Sequence, residues 1–163
     1  MKRIIVIGSP GSGKSTFARK LKEKTGLPLH YLDMIFHRPD RTTVTREEFD
    51  QRLQAILQTE NWIIDGNYLR TLPIRFEACT DVFFLDFPLE QCLEGAASRV
   101  GTTREDLPWV EQEFDPEFRQ YIIDFPKDQR PIIYELVERY RETRRITVFH
   151  SREEADKWFD KQK

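Results

Sequence analysis

The chain has 163 residues, 26 of them Lys or Arg against 28 Asp or Glu, for a net charge of −2; that length fits a single domain, 1–163, able to bury a real core. The charge balance argues against a protein that works through a broad basic face on nucleic acid or an anionic membrane. No apolar run nears the ~20 residues of a membrane span, so a soluble, cytoplasmic protein is expected, with no signal for oligomeric state.

The first element is a β-branched run, Ile4 to Ile7, that leads into Gly8, Ser9, Pro10, Gly11, Ser12, Gly13, Lys14, Ser15 and Thr16. The spacing G-x-x-x-x-G-K-[ST] between a strand and a helix is a P-loop. Its glycines let successive backbone N–H groups turn inward around phosphates. Lys14 reaches the β- and γ-phosphates as a point charge, and the Ser15 hydroxyl is placed for Mg²⁺ at the helix N-terminus. Phe17, Ala18 and Leu21 mark the buried face of that helix, and Gly26 with Pro28 ends it.

Leu29 to Leu32 reads as a second strand delivering Asp33 at its carboxyl end, where open α/β sheets bind their ligands. Asp33 is a candidate base or metal ligand, or else caps the short turn that starts at Met34. Residues 36–44 form a Pro-interrupted loop carrying Arg38 and Arg41. Thr45 and Glu48 then make a capping box ahead of a helix whose apolar positions are Phe49, Leu53, Ile56 and Leu57. The other face of that helix, with Glu47, Asp50 and Gln54, reads as solvated.

Trp62 to Ile64 is a third strand ending in Asp65 and Gly66, followed by a mixed loop from Asn67 to Arg75 that contains Arg70. Val82 to Leu85 repeats the pattern with Asp86, more naturally a cap than a ligand. Pro88 then starts a helix through Leu89, Cys92, Leu93 and Ala96. A polar stretch with Arg99, Gly101, Arg104 and Asp106 suits a mobile lid. Phe114, Phe118, Tyr121, Ile122 and Phe125 recur at helical spacing up to Pro126, a stripe more often core than ligand box, with Arg119 off the stripe and free to face the crevice. Pro131 opens another helix, Ile146 to Phe149 is the last strand, and Ser151 with Glu154 caps a terminal helix. Five strands alternating with helices predict an α/β fold with a parallel sheet covered on both faces. Cys79, Cys92 and the three histidines lack metal spacing, so both thiols are expected reduced and buried.

The P-loop, Asp33-Met34, the run from Trp62 to Tyr68 and the run from Phe84 to Pro88 together resemble the adenylate-kinase-like P-loop kinases, and among them the bacterial DNA topology modulation proteins. The resemblance implies a five-stranded parallel sheet in order 2-3-1-4-5, an acceptor-binding insert at about residues 34–60 and a short lid at about 99–110. It further implies that Asp65 lies one water away from Mg²⁺, that Arg99 and Arg104 close over the transferred phosphoryl group, and that Arg152 borders the adenine of ATP. Two departures bear on the acceptor. Phe36, His37 and Arg38 stand where nucleoside monophosphate kinases carry an aliphatic residue and a phosphate-holding arginine, and no glutamine follows the Asp65-Gly66-Asn67-Tyr68 run to read AMP. Gly95, where related sequences favour a larger residue, implies a weaker lid.

These readings combine into a small-molecule kinase with ATP and Mg²⁺ on residues 8–16 and 152, Ser15 and Asp65 toward the metal, and Lys14 and Arg99 on the γ-phosphoryl group. A nucleotide or nucleoside-like acceptor would lie among Asp33, Arg38, Asp65, Asn67, Arg70 and Arg75. If the acceptor is a hydroxyl, Asp33 is its base; a phosphate acceptor needs none. The rival reading is an ATP-dependent regulatory protein associated with DNA, although no helix-turn-helix and no basic stripe are present.

Overall fold

Strand β1 (Lys2–Gly8) lies at the centre of the sheet, hydrogen-bonded in parallel to β3 (Asn61–Asp65) on one side and β4 (Asp81–Leu85) on the other. β2 (Leu29–Tyr31) extends the sheet beyond β3, and β5 (Arg145–Phe149) beyond β4. The order is therefore 2-3-1-4-5, as expected. The computed structural model describes residues 1–162.

Side-chain alternation divides β1 between two cores. Ile5 and Ile7 join Trp62, Ile64, Val82 and Phe84 on one face, while Ile4 and Val6 join Ile63, Phe83 and Leu85 on the other. The first face is covered by α3 (Arg46–Leu57), α4 (Leu72–Ala78) and α7 (Arg130–Tyr140); the second by α1 (Lys14–Thr25), α5 (Leu89–Ser98) and α8 (Arg152–Lys161). α6 (Pro116–Asp128) feeds both, Phe125 to the first and Ile122 to the second. α2 (Leu32–Phe36) is a short turn of helix directly after β2.

The caps follow the sequence. Gly26 ends α1 with φ 73° and donates to the Lys22 carbonyl. Thr45 accepts from the Glu48 N–H at 3.1 Å, and Ser151 accepts from the Glu154 N–H at 3.2 Å while Glu154 reaches back to the His150 N–H at 2.8 Å.

Four expectations need correction. Leu32 belongs to α2, so Asp33 sits in the first turn of that helix rather than at a strand end, and the cap position is Tyr31. The stretch from Asn67 to Arg75 is irregular only through Tyr68: a 3-10 turn at Leu69–Thr71 then runs into α4, which has Pro73 in its first turn and is buried through Leu72, Arg75 and Phe76. A buried arginine on the apolar face hid the helical period. Pro126 does not end α6, which continues to Asp128, because a proline in the last turn removes only one backbone bond. Asp86 does not cap α5. It accepts from Tyr134 Oη at 2.5 Å and Arg130 Nε at 3.1 Å, tying β4 to α7.

Candidate active site

The P-loop leaves β1 at Gly8 and enters α1 at Lys14, with Gly11 at φ 84° and Gly13 at φ 94°. A Cβ on Gly11 would lie 2.0 Å from the Cys92 carbonyl oxygen, and a Cβ on Gly95 would lie 2.1 Å from the Gly11 carbonyl oxygen. The phosphate loop thus rests backbone to backbone on α5. Gly95 is the close-approach residue of that seat, and the expectation that it loosens a lid gives way to this packing role. From the other side, Asn67 holds the loop's origin, its Oδ1 accepting from the Gly8 N–H at 3.0 Å and its Nδ2 donating to the Gly8 carbonyl at 2.7 Å. Both ends of the amide are engaged with the P-loop, so Asn67, expected to hold the acceptor, positions the loop and also lines the adjoining cavity.

Beyond the carboxyl ends of β1 and β3 lies a cavity of about 430 Å³. Its walls bring together Lys14, Ser15, Asp33, Asp65, Arg99 and Arg104, six of the residues singled out from the sequence. Asp65 ends β3 and is buried, and its Oδ1 has no hydrogen-bond partner among the described residues. Burial pushes its carboxyl up to about 7, Lys14 pulling the other way and Asp33 and Asp106 adding to the rise. An orphaned carboxylate oxygen on the same wall as the Ser15 hydroxyl is a donor set that fits a hard divalent cation.

Asp33 projects from α2 and accepts from Tyr68 Oη at 2.5 Å. Burial, then the Asp33 charge, keeps the Tyr68 phenol protonated far above neutral pH. Tyr68 itself has φ 37°, a left-handed conformation that few non-glycine residues adopt. Arg75 holds it there. Wholly buried, its guanidinium donates to the carbonyls of Gly66 (2.8 Å), Asn67 and Tyr68 (3.2 Å), and to Thr71 Oγ1 (3.3 Å). Burial draws Arg75 down to about 9, still charged at neutral pH. Arg75 is therefore the internal brace of the Gly66–Tyr68 turn and not an acceptor ligand, a second correction at this site.

Arg38 and Arg70 also leave the site. Arg38 donates to Glu48 at 3.2 Å and to the Thr43 carbonyl at 3.3 Å, and Arg70 forks onto Asp50 at 2.7 and 3.2 Å, all on the surface. The face of α3 that read as merely solvated captures Arg70 through Asp50, and Glu48 of the capping box captures Arg38. Arg104 is countered as well, by Asp106 at 2.8 and 3.1 Å and by Glu111 at 2.9 Å, and these partners raise its pKa against the opposing effect of burial. Arg99 keeps a cavity position at the end of α5, its pKa lowered by burial and by neighbouring Arg104. Arg119 is exposed and does not reach the wall.

Pro10, Gly11 and Asn67, also singled out from the sequence, line the same wall, whereas Tyr31, Tyr68, Phe118, Tyr121, Asp128 and Gln129 were not singled out as site residues. Phe118 and Tyr121 belong to the aromatic stripe read as core. Only Ile122 and Phe125 of that stripe are deeply buried, and its forward edge faces the cavity. Trp109, in the irregular segment between α5 and α6, packs against His37 (ring centroids 5.2 Å apart) and under Arg41 (5.3 Å), so this segment meets the loop after α2. On the opposite side of the P-loop a recess of about 300 Å³ is lined by Gly13, Thr16, Lys20, Phe87, Arg152 and Phe159.

No family model matches the chain. Two curated relatives are adenylate kinases: that of Clavibacter michiganensis subsp. michiganensis (strain NCPPB 382), 30% identical over 106 residues, covering 58% of this chain and 52% of that protein, and that of Baumannia cicadellinicola subsp. Homalodisca coagulata, 36% identical over 91 residues, covering 53% and 40%. The chain thus spans about half, or less, of the length of these relatives. Among solved structures, a shikimate kinase from Bacteroides thetaiotaomicron superposes with TM-score 0.60 at 17% identity, covering 99% of this chain and 96% of its own. A sugar kinase from Janibacter sp. HTCC2649 gives 0.56 at 16% identity, with coverage of 99% and 92%. The fold is that of the P-loop kinases.

Proposed function

We propose that the protein is an ATP-dependent small-molecule kinase. The observation that carries this reading is that a seated P-loop, with Lys14 and Ser15, opens into the same cavity as Asp33, Asp65 and Arg99. Phosphoryl transfer asks a protein mainly for positioning and charge neutralisation. In this reading the N–H groups of residues 8–15 cradle the β- and γ-phosphates, and Lys14 and Arg99 neutralise charge on the group in transit. The recess lined by Thr16 and Arg152 takes the adenosine end of ATP. Ser15 and Asp65 would hold Mg²⁺, which when bound supplies further charge neutralisation between the phosphates. Among the described residues no three His, Cys, Asp or Glu side chains cluster as a metal site, and Ser15 and Asp65 are the protein groups that would hold such a cation.

Arg104, tied to Asp106 and Glu111, orders the segment between α5 and α6 over the cavity and adds less to transfer than Arg99. The motif resemblance to the DNA topology modulation proteins sits within this reading, as does a cytoplasmic location; no helix among the described residues is long and apolar enough to cross a membrane.

The test is ATP binding by calorimetry together with transfer of γ-labelled phosphate, in the wild type and in Lys14→Ala. Micromolar-range ATP binding in the wild type, weakened in the variant, is expected, with label arriving on a small molecule. Binding untouched by the variant would contradict the reading. Hydrolysis alone, with salt-sensitive DNA binding, would replace it with the regulatory alternative.

A further inference from the structure

An acceptor that already bears a phosphate or a carboxylate needs a cation at its own end of the cavity, because an anion left unpaired in a low-dielectric site is costly. The cations lining the cavity are Lys14, Arg99 and Arg104, and Arg41, on the loop after α2, lies over the Trp109 ring and off that lining. Of the arginines that the sequence offered, Arg38 is bound to Glu48, Arg70 to Asp50, and Arg75 is sealed beneath the Tyr68 turn. Arg104 is matched by Asp106 and Glu111, and Lys14 and Arg99 are taken by the transferring group. Beside those cations and the buried Asp65, the same wall presents Asp33 and Asp128, with the amide of Gln129 and the rings of Tyr31, Phe118 and Tyr121. Carboxylates there repel anions, and aromatic faces take flat or ring-shaped molecules.

Resting on the kinase reading above, we infer that the acceptor is a ring-bearing alcohol without an anionic group, of the nucleoside kind, and that Asp33 is the base for its hydroxyl. Tyr68 Oη occupies Asp33 Oδ1, which fixes the carboxylate and leaves Oδ2 for the substrate. In the transfer step the hydroxyl proton moves to Asp33 Oδ2, the hydroxyl oxygen forms a bond to the γ-phosphorus, and the bond from that phosphorus to the β–γ bridging oxygen breaks. Its electron pair leaves with ADP. Nothing is oxidised or reduced, and ATP is the only co-substrate.

The experiment compares adenosine and thymidine with AMP, TMP, shikimate and gluconate as acceptors of label from γ-labelled ATP, using the intact chain. The expected result is transfer to a nucleoside with kcat/KM roughly 10²-fold or more above that of its monophosphate or of either acid, from like-charge repulsion alone. Asp33→Asn, close to isosteric, is expected to lower kcat ~10²–10⁴-fold with ATP affinity unchanged. Tyr68→Phe, which keeps the ring but frees Oδ1, is expected to lower kcat less. Preferred transfer to a monophosphate or an acid, transfer to neither nucleoside, or an Asp33→Asn enzyme with near-normal kcat would each overturn the inference. Preferred transfer to a monophosphate or an acid would do so while upholding phosphotransfer. Failure of the wild type to bind ATP at all would instead bring down the kinase reading.

Discussion

The two halves of the cavity are built by different means. The half proposed for the phosphate donor is made of backbone: Gly11 and Gly95 let the loop and α5 touch, Asn67 pins Gly8, and α1 begins at Lys14. The half proposed for the acceptor is made of side chains from α2, the Tyr68 turn, α6 and the segment before α6, where Arg104 is matched by Asp106 and Glu111 while Asp33 is held by the Tyr68 hydroxyl. A site built of backbone constrains residue type at fixed spacing and leaves a motif. A site assembled from side chains far apart in sequence leaves only scattered residues, whose roles depend on which partner each one finds.

The largest effect that would break or uphold this contrast is expected at Lys14. Replacing it with Ala removes the one point charge the backbone cradle cannot replace, and should lower kcat by ~10³-fold or more with melting temperature little changed. In the acceptor half the largest loss should fall on folding. Arg75→Met strands three carbonyls beneath Tyr68 and should cost on the order of 3 kcal/mol of stability, from unsatisfied buried acceptors, read by denaturant titration. An effect on acceptor KM alone, with stability intact, would restore Arg75 as a ligand. Gly95→Ala comes next: its methyl meets the Gly11 carbonyl, and overpacking of this kind costs about 1–3 kcal/mol, so melting temperature and ATP affinity should fall together. A variant of normal stability would show that the loop does not depend on its seat.

A smaller effect concerns pH. Burial raises Asp65 from 3.8 to about 7, so between those values the folded state holds a proton that the unfolded state has lost. Stability is therefore expected to decline as pH rises from about 4 to about 7, and Asp65→Asn should flatten that slope. Mg·ATP binding runs the other way, tightening as pH rises through 7, because a cation selects the ionised carboxylate. The smallest effects belong to Arg38→Ala and Arg70→Ala. Exposed ion pairs contribute ~0.2–1 kcal/mol, and acceptor KM should stay within about twofold for both, since neither side chain faces the cavity. A tenfold rise would return them to the acceptor site.

How much was legible follows the same division. The P-loop, the capping boxes at Thr45 and Ser151 and the presence of carboxylates at Asp33 and Asp65 could be read from spacing, because each depends on near neighbours in the chain, whereas the strand order, which rests on pairings distant in sequence, came only from the family resemblance. Helix α4 was hidden because Arg75, a charged residue on the buried side of a helix, breaks the apolar period. The arginines misled for a related reason. A guanidinium is equally suited to a phosphate, to a carboxylate on the next helix or to a set of carbonyls, and only the fold decides among Glu48, Asp50 and the Tyr68 turn. Tyr121 was missed because an aromatic stripe reads the same whether its edge meets core or cavity.

The most direct test of the central claim, that one cavity joins a phosphate cradle to a place for an acceptor, is to follow the γ-phosphate of labelled ATP in single turnover with a mixture of nucleosides and nucleotides present. The label is expected to appear on a small organic molecule at a rate that exceeds its release as inorganic phosphate. Label found only in inorganic phosphate, at the same rate with and without the mixture, would contradict it.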